Sequence, residues 1–143
     1  MDETSIKKDD SGAEPLIKIL LIVTAVIEAP LGLGLLLAPR LVVSTLLNTP
    51  LDTPGGIVAA RLAGAAIVSL AICCWRARDS DGERSAVGIV TAMAFYNFAA
   101  AAILVYGGMQ LGISSIFVWP VIILHTLLGL WCASVVWQLI HRR

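Results

Sequence analysis

Residues 16–38 read LIKILLIVTAVIEAPLGLGLLLA, an apolar run whose only charges are Lys18 near its start and Glu28 within it. A helix of this length, rising about 1.5 Å per residue, crosses the roughly 30 Å hydrocarbon core of a bilayer. Lipid offers the backbone no hydrogen bonds, so a spanning segment this long must be helical. A spanning strand would be about half as long and would alternate in polarity. Three further apolar runs, residues 55–75, 85–106 and 113–140, repeat the pattern. The predicted fold is therefore all-α, a four-transmembrane-helix bundle over residues 16–140, with a tail at 1–15 and a basic end at 141–143.

Composition agrees with that reading and excludes others. Hydrophobic residues make up 58% and charged residues 14%, against roughly 45–50% and about 25% in soluble domains. Ten Lys plus Arg balance ten Asp plus Glu, so the whole-chain basic surplus of a nucleic-acid binder is missing and nucleic acid is not expected as a partner. The opening MDETSIKKDDSGAEP mixes both charge signs without an apolar core, which reads as a disordered tail rather than a signal peptide. Cys73, Cys74 and Cys132 are odd in number and lack CxxC spacing, so they are expected to be structural.

The cations set the expected orientation. Lys7, Lys8, Lys18, Arg76, Arg78, Arg84, Arg142 and Arg143 fall on one side of the four spans, and only Arg40 lies in a loop on the other. The positive-inside rule then puts both termini of this multi-pass protein in the cytoplasm. Trp75 and Trp137 at inner span ends, with Tyr106, Phe117 and Trp119 at outer ones, suit the headgroup belts. Between Pro39 and Pro50 the segment RLVVSTLLNT predicts a short helix lying on the outer surface, as a connector or a lid.

Charged groups inside spans are expensive and tend to face the bundle interior, so Glu28 and Arg61 are the first candidates for a site. Counting helix rise from the span ends puts Glu28 and Asn97 at similar depth in the outer part of the membrane. Arg61 is close enough to pair with Glu28, and His125 lies somewhat deeper. Thr24 shares the Glu28 face, and Tyr96 stands about 100° from Asn97 around its helix. Two readings follow: Glu28, Arg61 and Asn97 close a structural clasp, or Thr24, Glu28, Arg61, Tyr96, Asn97 and His125 line a ligand pocket open toward the outer leaflet. Pro30, two residues beyond Glu28, removes one helical hydrogen bond and is expected to kink the span or free a carbonyl. One in-span His with one Cys two turns away does not make a metal site, and no cofactor is indicated. Ala60 with Gly64, and Gly129 with Ala133, are small-xxx-small pairs that read as helix packing.

The stretches GLGLLLAPRLV from Gly32 and GGIVAARLAGAAIVSLAICCWRAR from Gly55 resemble the small bacterial four-helix membrane proteins of the DoxX-like kind. Arg61 and Gly64 form the shared Arg-x-x-Gly core. The resemblance implies a compact four-span bundle, with some relatives linked to membrane thiol or quinone redox chemistry; this chain has no paired redox cysteines in its spans. The leading functional expectation is binding or translocation of a small amphipathic molecule, lipid or quinone, by a homo-oligomer or within a larger complex. An accessory subunit of a membrane complex, and a membrane-embedded oxidoreductase or isomerase using Glu28 or His125 as acid–base group, are the alternatives.

Overall fold

The computed structural model describes residues 13–79 and 83–141, and among them the chain forms five helices. They are α1 (Ala13–Leu37), α2 (Pro39–Leu47), α3 (Pro54–Ala77), α4 (Glu83–Gln110) and α5 (Val118–His141). All but α2 are long and apolar enough to cross a membrane. The protein is thus an all-helical, multi-pass membrane bundle. Of the expected tail, residues 13–15 belong to the first turn of α1 and the rest lie outside the described residues, as do Arg142 and Arg143 of the basic end.

Local chemistry explains the helix ends. Ala38 ends α1, and Pro39 at the first position of α2 restarts the helix with a preset φ and no N–H to satisfy. Asn48 closes α2 in the left-handed region at φ 50°, which Asn tolerates better than most residues. Thr53 caps α3 by accepting the Gly56 amide on its hydroxyl at 3.2 Å, again with Pro at the helix start. The third span runs on past Gly107 and Gly108, where the sequence predicted its end. The Gly107 carbonyl accepts the amides of Leu111 and Ile113 at 3.2 Å each, and Gly112 turns the chain at φ 68°. The fourth span starts at Val118 rather than 113, because residues 112–117 form that turn and Ser115 accepts the Phe117 amide on its side chain.

The four long helices form two pairs. α1 packs along α3 and α4 along α5, while contacts between the pairs are sparser. Lys18 at the start of α1 is ion-paired with Asp79 just beyond α3, Nζ to Oδ1 2.7 Å, so these two helices are antiparallel. We call this the terminal end. At the opposite, loop end the Asn48 side-chain amide donates to the Ser114 carbonyl at 3.2 Å, tying the α2–α3 connection to the α4–α5 connection.

Where α1 crosses α3, the backbones touch. A Cβ on Gly64 would fall 2.6 Å from the Leu36 nitrogen and 2.7 Å from the Gly32 carbonyl oxygen, and a Cβ on Gly32 would meet the Val68 nitrogen at 2.9 Å. Small residues permit this approach, which van der Waals contact rewards in lipid. On α5, Gly129 makes room for the ring of Phe98 on α4, 2.9 Å from where its Cβ would stand. The buried apolar core gathers toward the terminal end: Leu20, Leu21 and Ala25 of α1, Cys74 and Ala77 of α3, Val90 and Met93 of α4, and Cys132, Val135 and Leu139 of α5. Cys74 and Cys132 are buried free thiols in that core, and Cys73 is an exposed free thiol.

Candidate functional site

A layer of polar side chains caps this core where the two helix pairs meet. Thr24 and Glu28 sit one turn apart on the inner face of α1, Asn97 on α4 and His125 on α5, and all four are buried, Glu28 and Asn97 at 0% exposure. Residues four apart on a helix share a face, which is how α1 presents the Thr24–Glu28 pair together.

Hydrogen bonding orients most of the layer. The Asn97 amide nitrogen donates to the Met93 carbonyl at 2.8 Å, so its oxygen must be the atom facing α5. That oxygen lies 2.9 Å from His125 Nδ1. Because an amide oxygen only accepts, Nδ1 carries the proton, and Nε2 of a neutral ring is left as an acceptor. From α4 the Tyr96 hydroxyl donates to Glu28 Oε2 at 3.1 Å, and its ring meets the His125 ring edge-on, centroids 5.7 Å apart at 83°. The Tyr96–Glu28 bond reaches from one helix pair to the other.

Two atoms in the layer stand apart. Thr24 Oγ1 and Glu28 Oε1 are buried without a hydrogen-bond partner among the described residues. Two other threonines in the long helices return their hydroxyls to the carbonyl four residues back, Thr91 to Val87 and Thr126 to Ile122, both at 2.8 Å. Thr24 does not use this local route. An unsatisfied buried polar group costs about 1–3 kcal/mol, so both atoms sit in positions that a hydrogen-bonding group would relieve.

Arg61 is not in this layer. It is exposed, and the expected Glu28–Arg61 pair is not formed. The Gly32–Gly64 contact sets the register of α1 on α3, which puts Arg61 level with the end of α1, roughly 14 Å of helix rise beyond Glu28. Depth counted separately from each span's own end missed this offset, because the first two turns of α3 overhang α1. The second difference concerns Tyr96 and Asn97. Being neighbours about 100° apart on α4, they serve different partners, Tyr96 turning to α1 and Asn97 to α5. Pro30 lies inside an α1 that continues to Leu37. Lacking an N–H, it leaves the Val26 carbonyl without its helical donor.

Among the described residues, no group of three or more His, Cys, Asp or Glu is placed to hold a metal ion. What the layer offers a bound molecule is a carboxyl oxygen that accepts, a hydroxyl that donates and accepts, and an imidazole nitrogen held in one tautomer. The chain matches no protein-family model, no curated protein and no solved structure.

Proposed function

We propose that this protein binds or translocates a small amphipathic molecule, a lipid or a quinone, whose polar group meets the layer of Thr24, Glu28, Tyr96, Asn97 and His125. The observation that carries this reading is the pair of buried atoms without partners, Thr24 Oγ1 and Glu28 Oε1, on one face of α1. A ligand that carries both a hydroxyl and a carbonyl answers both: Glu28 Oε1 accepts from the hydroxyl, and Thr24 donates to the carbonyl. Tyr96 holds the other carboxyl oxygen, and Asn97 fixes the His125 tautomer, so the groups left to face the ligand are pre-oriented. Arg61, exposed near the loop end, belongs to the approach from that side rather than to the layer.

Lys18, Arg76 and Arg78 at the terminal end support a cytoplasmic placement of both termini, in a bacterial inner membrane. Kinship with the DoxX-like proteins is part of the proposal. It rests on the two quoted stretches, and the place of Gly64 at the α1–α3 crossing gives a packing reason for the glycine of the Arg-x-x-Gly core. Four helices enclose little volume, so a homo-oligomer or a larger complex is the form in which such a molecule would be carried.

A second reading is favoured by a specific bond. The Tyr96–Glu28 hydrogen bond links the two helix pairs, which suits a clasp in an accessory subunit of a membrane complex. Native mass spectrometry of the full chain released from mild detergent separates the two. A retained small molecule that Thr24→Val and Glu28→Gln both remove, in variants whose thermal unfolding matches wild type, supports binding. Protein without any retained molecule, combined with lower stability of Glu28→Gln and Tyr96→Phe, overturns binding in favour of the clasp.

A further inference from the structure

Between the Gly32–Gly64 crossing and the terminal end, α1 and α3 leave a trough on the outer face of the bundle. Its volume is about 360 Å³. Ala25 and Ala71, both buried, form its base, and Val26 and Ile72, both more than half exposed, form its sides. The small side chains of Ala25, Ala29 and Ala71 make the depression between the two helices. None of the polar-layer residues lines it. Thr24 and Glu28 face inward from α1, while Ala25 and Ala29, each one residue on, face the trough.

The trough is apolar along its length and ends at Arg76, with Trp75 beside it. From Val68 to Arg76 the helix rises roughly 12 Å, and the trough's volume lies within the size range of small-molecule sites. In a membrane-spanning bundle this surface faces lipid, so what fits it is a flexible hydrocarbon chain. The polar end selects the rest of the molecule. A guanidinium presents five N–H donors and matches a phosphate, even while it serves another oxygen. Lys18 and Arg78 stand at the same end, paired with Asp79 at 2.7 and 3.0 Å, and Arg76 is the cation among the residues that line the trough. Tryptophan beside it marks the headgroup level.

We propose that this trough is a site for an anionic phospholipid, with one acyl chain lying between α1 and α3 and the headgroup phosphate at Arg76. The site stands apart from the polar layer and does not rest on the function proposed for it. The test uses the full chain purified in detergent and titrated with phosphatidylglycerol or phosphatidylcholine, with bound lipid counted by native mass spectrometry. Wild type is expected to retain one phosphatidylglycerol in preference to phosphatidylcholine. Arg76→Gln should lower that preference about fivefold, the factor one basic residue contributes near an anionic surface. Ala29→Leu, which fills the trough, should reduce retention of both lipids, and Gly88→Ala on α4, where a Cβ meets nothing within 4 Å, should leave the preference as in wild type.

Equal retention of the two lipids by wild type overturns the proposal, and so does an unchanged preference in Arg76→Gln. A lipid-free dimer that Ala29→Leu dissociates also overturns it, by assigning the trough to a second copy of the chain. Loss of the preference in Gly88→Ala as well as in Arg76→Gln overturns the assignment of the headgroup to Arg76. If Ala29→Leu fails to fold, the Arg76→Gln comparison decides by itself.

Discussion

The seam between α1 and α3 and the seam between the two helix pairs hold the same bundle together by opposite means. At the first, glycines remove side chains, so that Gly64 rests against the backbone of α1 at Leu36 and Gly32. At the second, the helices stand farther apart and a polar pair crosses the gap, Tyr96 of α4 donating to Glu28 of α1, beside the Asn97–His125 bond within the α4–α5 pair. At the glycine crossing itself, close-packed backbone presents no side chain with which to recognise a ligand. The wider seam keeps two buried oxygens without partners, at a cost in stability. In lipid, where apolar side chains gain nothing by leaving solvent, the first kind of seam supplies association by contact and the second supplies chemistry.

The contrast is most directly broken at Gly64. Gly64→Val places a branched side chain where even a Cβ meets backbone at 2.6 Å, and backbone cannot move aside as a side-chain tip can. A loss of about 3 kcal/mol or more is expected, the upper end of overpacking costs, measured by unfolding in a denaturing-detergent titration. Gly88→Ala is the matched control, because a Cβ there meets nothing within 4 Å; it should shift stability by less than about 1 kcal/mol.

The polar layer beside that seam should respond less, and in a distinctive way. Asn97→Leu takes the acceptor from His125 Nδ1 and strands a buried N–H, which costs about 1–3 kcal/mol. Replacing both Asn97 and His125 with leucine should recover part of that loss, since an apolar pair leaves no donor unsatisfied. If the double variant is as unstable as the sum of the singles, the two side chains are not acting as a hydrogen-bonded pair.

The smallest effect is expected outside both seams, at the terminal end. The hydrogen bond from Lys18, with the added charge of Arg78, holds the Asp79 carboxyl below the usual carboxylate range. A carboxyl depressed in the folded state contributes stability that is present above about pH 4, the ordinary carboxylate value. That contribution disappears as the pH falls through its lowered value. Asp79→Asn should flatten the acid limb of stability against pH while changing neutral-pH stability less than either variant above. An unaltered acid limb would show that Asp79 is not the group titrating there.

Residues 16–38 were enough to see that the chain is helical and crosses a membrane, because segment length and the absence of backbone partners in lipid leave no other structure. The same logic made Glu28, Asn97 and His125 visible as a buried polar group, since such side chains avoid lipid. Gly64 was legible as a packing residue from its spacing to Ala60. Span ends were less legible. The helix runs through Gly107 and Gly108 because Ile113 folds back to bond the Gly107 carbonyl, a contact that residue types do not announce.

What the sequence by itself determined was the number of spans, the short helix after Pro39 and the inward turn of Glu28, Asn97 and His125, because each depends on local length, proline chemistry or transfer energy. Only the tertiary structure decided who meets whom. Arg61 and Glu28 were separated by the axial offset of α3 on α1, and that offset was set by the glycine contact at Gly32 and Gly64. Tyr96 was brought to Glu28, and Asn97 to His125, by the rotation of α4 between its neighbours. Offset and rotation are properties of a packed pair of helices, and no single helix carries them.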